Sequence, residues 1–131
     1  MSIPADLQYT ATHEWLRRDT DGVTIGITDH AQSELTDVVF VDLPEVGRHV
    51  EAGDELCSLE SVKAVAYIYA PISGVIAAVN EKLRKEPELV NKAPHGEGWI
   101  VRIAPDTPER TANLLDAEAY LAHVKAGQSA R

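Results

Sequence analysis

The stretch Glu60-Ser61-Val62-Lys63-Ala64-Val65 places one lysine between two short apolar runs. Residues 56–62 and 65–70 are both rich in apolar side chains, which predicts a β-hairpin with Lys63 in its connection. The connection has no Gly or Asn that could take a positive φ, so its residues do not specify a tight primed turn. Most exposed lysines are solvated surface charges, and the hairpin alone assigns no function to Lys63.

Short strands are also predicted on both sides of this hairpin. Val23, Ile25 and Ile27 alternate with Thr24, Gly26 and Thr28, a period of two that is typical of a half-buried strand. Further strands are predicted at residues 8–11, 13–16, 38–41, 75–79 and 99–103, with an ordered loop at 81–98. Many short strands separated by turn residues predict a mostly-β sandwich or barrel. The residues expected in its core include Val39, Val41, Ile76 and Ile103.

One short helix is predicted in the N-terminal third of the chain. Thr28 or Asp29 can cap a helix that begins near His30. Ala31 and Leu35 are four residues apart and would lie on one face of that helix. The β-branched run that follows Leu35 indicates that the helix is brief.

A C-terminal helical element is predicted at about residues 107–127. Thr107-Pro108-Glu109 is a favourable helix start, with a capping hydroxyl, a proline at the first helical position and an acid in the first turn. Asp116 is expected to cap a second helix from Ala117 to about Lys125, which Gly127 ends. The residues of this helix that are expected to face inward are Leu121 and Val124.

Length and composition predict one domain over residues 1–131, because 131 residues is close to the commonest domain size and 44% of them are hydrophobic. The formal net charge is −9, from 21 acidic and 12 basic residues. Nucleic acids and anionic membranes would repel such a chain, so we expect neither as a partner. No apolar stretch approaches the ~20 residues that span a bilayer. We expect a cytoplasmic monomer whose partners present basic surfaces.

The chain shows no pattern of a self-sufficient active site. Its five histidines lack metal-ligand spacing, and a single cysteine cannot complete a zinc site or form an internal disulfide. Cys57 lies in a predicted strand and is expected to be packed and inert. There is no phosphate-binding loop and no Ser/His/Asp order. These absences favour a carrier over an enzyme, and no metal is expected.

Several motifs follow one another in the order of one known family. Glu60-Ser61-Val62-Lys63-Ala64, followed by Tyr69-Ala70-Pro71-Ile72-Ser73-Gly74, resembles the lipoyl-attachment hairpin of the glycine cleavage system H protein family. The resemblance covers about residues 7–104 and implies the barrel-sandwich hybrid fold of lipoyl and biotinyl carriers. The other matching motifs are His13-Glu14-Trp15, Gly26-Ile27-Thr28-Asp29-His30-Ala31-Gln32, Asp37-Val38-Val39-Phe40-Val41-Asp42-Leu43-Pro44, Pro87-Glu88-Leu89-Val90-Asn91 and Gly96-Glu97-Gly98-Trp99.

The resemblance also implies a cofactor and a set of partners. In the family, the lysine that matches Lys63 carries lipoic acid in amide linkage, after the action of a lipoate-attaching enzyme. The arm accepts an aminomethyl group from a pyridoxal-phosphate glycine decarboxylase. An aminomethyltransferase unloads it, and a dihydrolipoamide dehydrogenase reoxidises the dithiol. The chain would therefore be a non-catalytic carrier with covalent lipoic acid on Lys63.

Three further residues have a possible role by the same resemblance. Glu60 is either part of the surface recognised by the lipoate-attaching enzyme or a solubilising charge. Residues that match Glu14 and His30 lie near a cleft in which the loaded arm docks, where a carboxylate and an imidazole could bind its amine. The alternative is structural, with Glu14 capping or solvating the N-terminal strand and His30 beginning a helix.

The sequence departs from the family at Tyr67. The family usually has an acid at this position, in the same docking cleft, and a phenol cannot neutralise an ammonium. Tyr67 is therefore a tentative cleft residue, and it keeps open the alternative of an H-like lipoate-binding carrier such as those associated with bacterial sulfur oxidation. A lipoyl relay is a further alternative. A milder departure is Thr36, where the family commonly has Gly.

Overall fold

The structure is a computed structural model, and it describes residues 2–19, 22–106 and 114–129. These residues form nine β-strands, three α-helices and one short 3-10 helix. The strands are β1 Gln8–Tyr9, β2 Glu14–Asp19, β3 Gly22–Ile27, β4 Val38–Asp42, β5 His49–Val50, β6 Glu55–Ser61, β7 Val65–Tyr69, β8 Gly74–Val79 and β9 Val101–Pro105. The helices are α1 Asp29–Leu35, α2 Leu89–Lys92 and α3 Ala117–Ser129, with the 3-10 helix at Glu81–Arg84.

The strands form two antiparallel sheets. Six strands pair in the order β1-β2-β3-β9-β8-β5, and three pair in the order β4-β6-β7. One apolar core contains side chains from both sheets, including Ile25 and Ile103 from the larger sheet and Leu59 from the smaller one. This two-sheet, mostly-β architecture with short helices confirms the predicted fold class. No helix among the described residues is both long and apolar enough to cross a bilayer.

Three of the four predicted core residues are buried, and the prediction for Val39 is wrong. Val41, Ile76 and Ile103 are buried, whereas Val39 is 54% exposed and Val38 only 3%. The pairing of β4 with β6 shifts register between Val38 and Phe40. Such a bulge inserts one residue and reverses the alternation of side chains before it. Val38 therefore takes the inward position that strict alternation from Val41 gives to Val39.

The alternation of β3 predicts burial on one face only, but the structure buries both faces of this strand. It lies between β2 and β9 in the larger sheet. The indole of the buried Trp15 covers Gly26, where a Cβ atom would lie 2.7 Å from the ring. Only glycine leaves room for this ring, so the small residue in the alternation is a packing position and not a solvent-facing one.

Helix α1 agrees with the predicted cap and inner face. The Thr28 side chain accepts a hydrogen bond from the Ala31 backbone N–H over 3.2 Å, which caps the helix. Leu35 is buried, and Ala31 packs against the main core.

The segment 81–98 is ordered, as expected, and contains the 3-10 helix and α2. Strand β9 begins at Val101, two residues later than predicted, and the Trp99 carbonyl accepts a hydrogen bond from Asn80 Nδ2 over 2.8 Å.

The C-terminal helix α3 is capped as predicted but ends later. Asp116 Oδ1 accepts a hydrogen bond from the Ala119 backbone N–H over 2.8 Å. Val124 is buried and Leu121 is half-buried. The helix continues through Gly127 to Ser129, so Gly127 does not end it. The helix start predicted at Thr107-Pro108-Glu109 lies outside the described residues.

A second, smaller core lies between α3 and the N-terminal strands. It contains Tyr9, Trp15, Tyr120 and Val124. The rings of Tyr9 and Tyr120 stack with their centroids 4.7 Å apart. Helix α3 is thus held against β1 and β2 by aromatic packing.

Candidate functional site

The β6–β7 hairpin closes at Ser61, Val62, Lys63 and Ala64 without a left-handed residue. The Ser61 backbone N–H donates to the Ala64 carbonyl over 2.8 Å. The Ser61 Oγ accepts from the backbone N–H groups of Lys63 and Ala64 over 3.3 and 3.1 Å. This hydroxyl stabilises the turn by accepting these two backbone hydrogen bonds, as Ser and Thr side chains do in turns that need no positive φ. Among the described non-glycine residues, positive φ angles occur only at His13 and Thr36.

A further contact fixes the hairpin end to the neighbouring strand. The Val62 backbone N–H donates to the Asp37 carbonyl, just before β4, over 3.1 Å. Lys63 is exposed, and no described residue forms a hydrogen bond or ion pair with its ammonium. The hairpin therefore holds the backbone around Lys63 by several hydrogen bonds and leaves the lysine side chain exposed, an arrangement compatible with covalent modification.

Glu60 precedes the turn on the outer face of β6. It pairs with Phe40 on one side and with Val65 on the other. Its side chain is exposed. Glu60 thus lies on the same hairpin as Lys63, three residues before it, and its role in recognition stays a prediction.

Glu14 is fully buried at the start of β2. The hydroxyls of Thr10 and Thr12 each donate to Glu14 Oε1 over 2.5 Å, and the Tyr69 backbone N–H donates to Oε2 over 3.4 Å. Burial raises the pKa of Glu14 above its ordinary value, although these hydrogen bonds act in the opposite direction. The site thus holds a carboxyl group that loses its proton less readily than an exposed glutamate.

A cavity of about 710 Å³ lies beside Glu14. Its wall is formed by segments that are distant in the sequence: residues 10–14, 51–53 and 69–73, with Asp106 and Leu114. Tyr69 lies in this wall. A cavity of this size with a buried carboxyl group can admit the end of a flexible arm and bind a polar group there.

Tyr67 and His30 are not among the residues that line this cavity. Tyr67 lies on β7 opposite Ser58 and is half exposed on the same face of the strand as Tyr69. The ring of His30 lies 4.7 Å from that of His13, and its Nε2 lies 3.8 Å from Glu34 Oε1. No described contact joins His30 to Glu14.

His13 connects the histidines to α3. Its Nδ1 lies 2.7 Å from the Tyr120 hydroxyl, which also hydrogen-bonds the Thr28 hydroxyl over 2.7 Å. Burial, together with the imidazoles of His30 and His123, lowers the pKa of His13 to about 4. A neutral His13 therefore belongs to the packing of α3.

No group of three or more possible metal-ligating side chains occurs within residues 2–19, 22–106 and 114–129.

Sequence reasoning missed Thr10, Thr12 and Ser61. Thr10, Thr12 and Glu14 are spaced two residues apart, a period that could have indicated one polar face. The position of Ser61 immediately before the turn was a weaker signal.

The prediction of a packed Cys57 is confirmed, since Cys57 is buried and burial raises the pKa of its thiol to about 12.

Comparisons with known proteins agree with this geometry. A family model described as Glycine cleavage H-protein matches residues 7–127. A glycine cleavage system H protein from Edwardsiella ictaluri is 55% identical over 122 residues, which are 92% of this chain and 95% of the relative. One from Legionella pneumophila is 56% identical over 115 residues, 88% of this chain and 92% of the relative.

A solved structure gives the same result for the fold. The crystal structure of a glycine cleavage system H protein from Mycobacterium marinum superposes with a TM-score of 0.83 and 39% sequence identity. The alignment covers 98% of this chain and 100% of that one. This chain therefore belongs to the glycine cleavage H-protein family, the non-catalytic carriers of covalently bound lipoic acid in the glycine cleavage system.

Proposed function

We propose that the chain performs its carrier function with lipoic acid attached to the Nζ of Lys63. The observation that carries this proposal is the position of Lys63, exposed at the tip of a hairpin with no partner for its ammonium among the described residues. The amide would form there without breaking any described side-chain contact. Acylation also removes the positive charge of the lysine, which has no described ion pair to lose.

The chain's own residues would position the cofactor rather than react. Lipoic acid, when bound, supplies a dithiolane that takes up and releases the aminomethyl group. The hydrogen bonds of Ser61 and the Val62–Asp37 contact fix the base of the arm. A flexible arm on a fixed base holds its end at high effective concentration near each partner's active site.

We also propose that the cavity beside Glu14 receives the far end of the arm. A buried carboxyl group can accept a charge-assisted hydrogen bond from an amine, and the surrounding wall limits access of water. Tyr67 lies two residues before the wall residue Tyr69 and would face the path between the hairpin tip and the cavity. His30 belongs to the cluster around His13, so its predicted role in the cleft stays a prediction that no described contact supports.

The chain works with the other enzymes of the glycine cleavage system, and we propose which ones. They are the glycine decarboxylase, the aminomethyltransferase and the dihydrolipoamide dehydrogenase, together with a lipoate-attaching enzyme. The net charge of −9 supports partners with basic docking surfaces. The names of the relatives favour an aminomethyl cargo over a sulfur cargo. The monomeric state, the single domain and the cytoplasmic location stay predictions.

Peptide mass spectrometry after co-expression with a lipoate-attaching enzyme tests the attachment site. We expect the lipoyl mass increment on the peptide that contains Lys63, and no increment in Lys63→Arg. Lys82→Arg is the matched control and should be modified like the wild type. The thermal melt of Lys63→Arg should be unchanged, because an exposed turn charge contributes little to stability. Modification at another lysine, or its persistence in Lys63→Arg, would overturn the proposal.

A further inference from the structure

Two tyrosine side chains follow one another along β7, between Lys63 and the cavity beside Glu14. Tyr67 and Tyr69 are two residues apart in this strand, so both side chains lie on the same face of it. Tyr67 is 50% exposed and Tyr69 is 39% exposed. Neither tyrosine belongs to either core cluster, so the packing of the fold does not explain the two rings.

The neighbour of Tyr67 across the sheet is small. Ser58 of β6 is paired directly with Tyr67, so the two side chains lie on one face of the sheet. Ser58 is also paired with Asp42 of β4. The row therefore has one large ring, at Tyr67, and a serine beside it. This leaves space over Ser58 for a group that packs against the ring.

The length of a lipoyl-lysine arm matches the distance from Lys63 to Tyr67. Tyr67 follows Lys63 by four residues, and an extended strand advances about 13 Å over that separation. About eleven bonds join the Cα of the lysine to the dithiolane ring, and in extended form they reach about 14 Å. The closed ring can therefore lie against Tyr67. It falls short of Tyr69, which lies about 20 Å from Lys63 on the same scale.

The loaded arm is longer than the oxidised arm, because its ring is open and its terminal sulfur carries the aminomethyl group. These changes add about five bonds, or about 6 Å, so the amine reaches the level of Tyr69. At that level the Tyr69 backbone N–H donates to Glu14 Oε2. The closed and loaded forms of the arm thus end at different places along β7.

The chemistry of each place suits the form that reaches it. Sulfur is polarizable and makes favourable contacts with aromatic rings, whereas a phenol has no charge with which to pair an amine. The carboxyl group of Glu14 can bind an amine instead. By the resemblance, the family usually has an acid at the position of Tyr67, and an acid there would not bind a neutral ring of carbon and sulfur. Tyr67 therefore favours the oxidised form of the arm.

We propose that Tyr67 is a binding site for the oxidised dithiolane of the arm. The inference rests on the proposed attachment of lipoic acid to Lys63. Between rounds of transfer, Tyr67 holds the closed ring over Ser58 on the outer face of the sheet. The contact is lost when the ring opens, and the longer loaded arm then extends to Glu14. The binding itself forms and breaks no covalent bond.

The first test is nuclear magnetic resonance of the fully lipoylated chain, after peptide mass has verified modification at Lys63. We expect nuclear Overhauser effects between the ring protons of Tyr67 and the methylene protons of the oxidised dithiolane. These effects should disappear when dithiothreitol opens the ring. Their absence in the oxidised protein, or effects to Phe40 in their place, would overturn the proposal.

Phe40 is a matched competitor for the arm. It is also an aromatic residue of the three-stranded sheet and is also 50% exposed. Phe40 is paired with Glu60, which is paired in turn with Val65. It therefore lies at the level of Val65, about 7 Å along β7 from Lys63. An extended arm passes beyond Phe40, so we expect no contact between this ring and the dithiolane.

The second test is the rate at which dithiothreitol reduces the dithiolane in lipoylated variants. A ring held against Tyr67 is partly shielded, so Tyr67→Ser should be reduced about threefold faster than the wild type. Tyr67→Phe keeps the aromatic face and should be reduced at the wild-type rate. Phe40→Ser is the matched control and should also show the wild-type rate.

Two results of this second test count against the binding site. Equal rates for Tyr67→Ser and the wild type would overturn it, and so would a Tyr67→Phe variant that is reduced as fast as Tyr67→Ser. Either result leaves the attachment at Lys63 intact, because the proteins compared are lipoylated there. Absence of modification at Lys63 in the wild type would instead overturn the proposed attachment itself.

Discussion

Two opposing influences act on the carboxyl group of Glu14. Burial favours its protonated form, while the hydroxyls of Thr10 and Thr12 and the Tyr69 N–H favour the carboxylate. Burial is the larger influence, and the pKa of Glu14 is raised. A carboxyl group of this kind contributes to binding and to stability in a pH-dependent way.

The substitution Glu14→Gln tests this balance through stability. Because the folded pKa of Glu14 lies above the unfolded one, the folded chain binds more protons in the window between them. The contribution of Glu14 to stability is therefore present below the unfolded pKa and is lost as pH rises through the folded pKa. Glutamine does not titrate, so Glu14→Gln should gain stability relative to the wild type as pH rises from about 4 to about 8.

The measurement is the free energy of unfolding in urea at both pH values. At the lower pH we expect Glu14→Gln to be less stable than the wild type, because its amide N–H₂ would face the Tyr69 N–H. Glu51→Gln, in the same cavity wall but exposed, is the control and should change stability little at either pH. The account would be contradicted if the stability of Glu14→Gln relative to the wild type stayed constant or fell as pH rises.

Residue by residue, the sequence indicated the hairpin lysine but not its surroundings. Glu60 precedes Lys63 by three residues on the same hairpin, so a local motif was sufficient to bring them together. The cavity is built from segments 10–14, 51–53 and 69–73, and no local pattern reports that they converge. His30 was grouped with Glu14 by resemblance, whereas its described contacts are with His13 and Glu34.

Elements were predicted well where one periodicity holds throughout. The hairpin strands, the α1 cap and the α3 cap follow from local patterns and are present. Strand β4 is the exception, because its bulge between Val38 and Phe40 depends on pairing with β6 and not on its own sequence. Helix α3 is another, since it continues through Gly127 to Ser129.

The bulge gives a matched pair of substitutions in neighbouring valines. Val38→Ala should lower the free energy of unfolding by about 2 kcal/mol, because it removes two buried methyl groups and leaves a cavity. Val39→Ala should change it by less than about 0.5 kcal/mol, as exposed substitutions do. Urea unfolding of the two variants is the measurement. Equal losses, or a larger loss for Val39→Ala, would show that β4 pairs without the bulge.

At the scale of the whole molecule, the proposed function makes the two sheets a base for one flexible arm. Two antiparallel sheets share a core, the smaller sheet presents Lys63 at its hairpin tip, and the larger sheet contributes Glu14 to the cavity. The acidic net charge would suit repeated, reversible encounters with the basic docking surfaces proposed for the partners, and the rates of these encounters should then fall as salt screens the attraction. In the proposed arrangement the chain would supply position and protection, while its partners would supply catalysis.

Exchange of labelled carbon dioxide into glycine, catalysed by glycine decarboxylase, tests the carrier function most directly. The decarboxylase is assayed with lipoylated wild type, with unmodified wild type, and with Lys63→Arg that has passed through the same lipoylation reaction. We predict rapid exchange with the lipoylated wild type and only background exchange with the other two proteins. Equal exchange with Lys63→Arg, or none with the lipoylated wild type and a decarboxylase that accepts another H protein, would contradict the account.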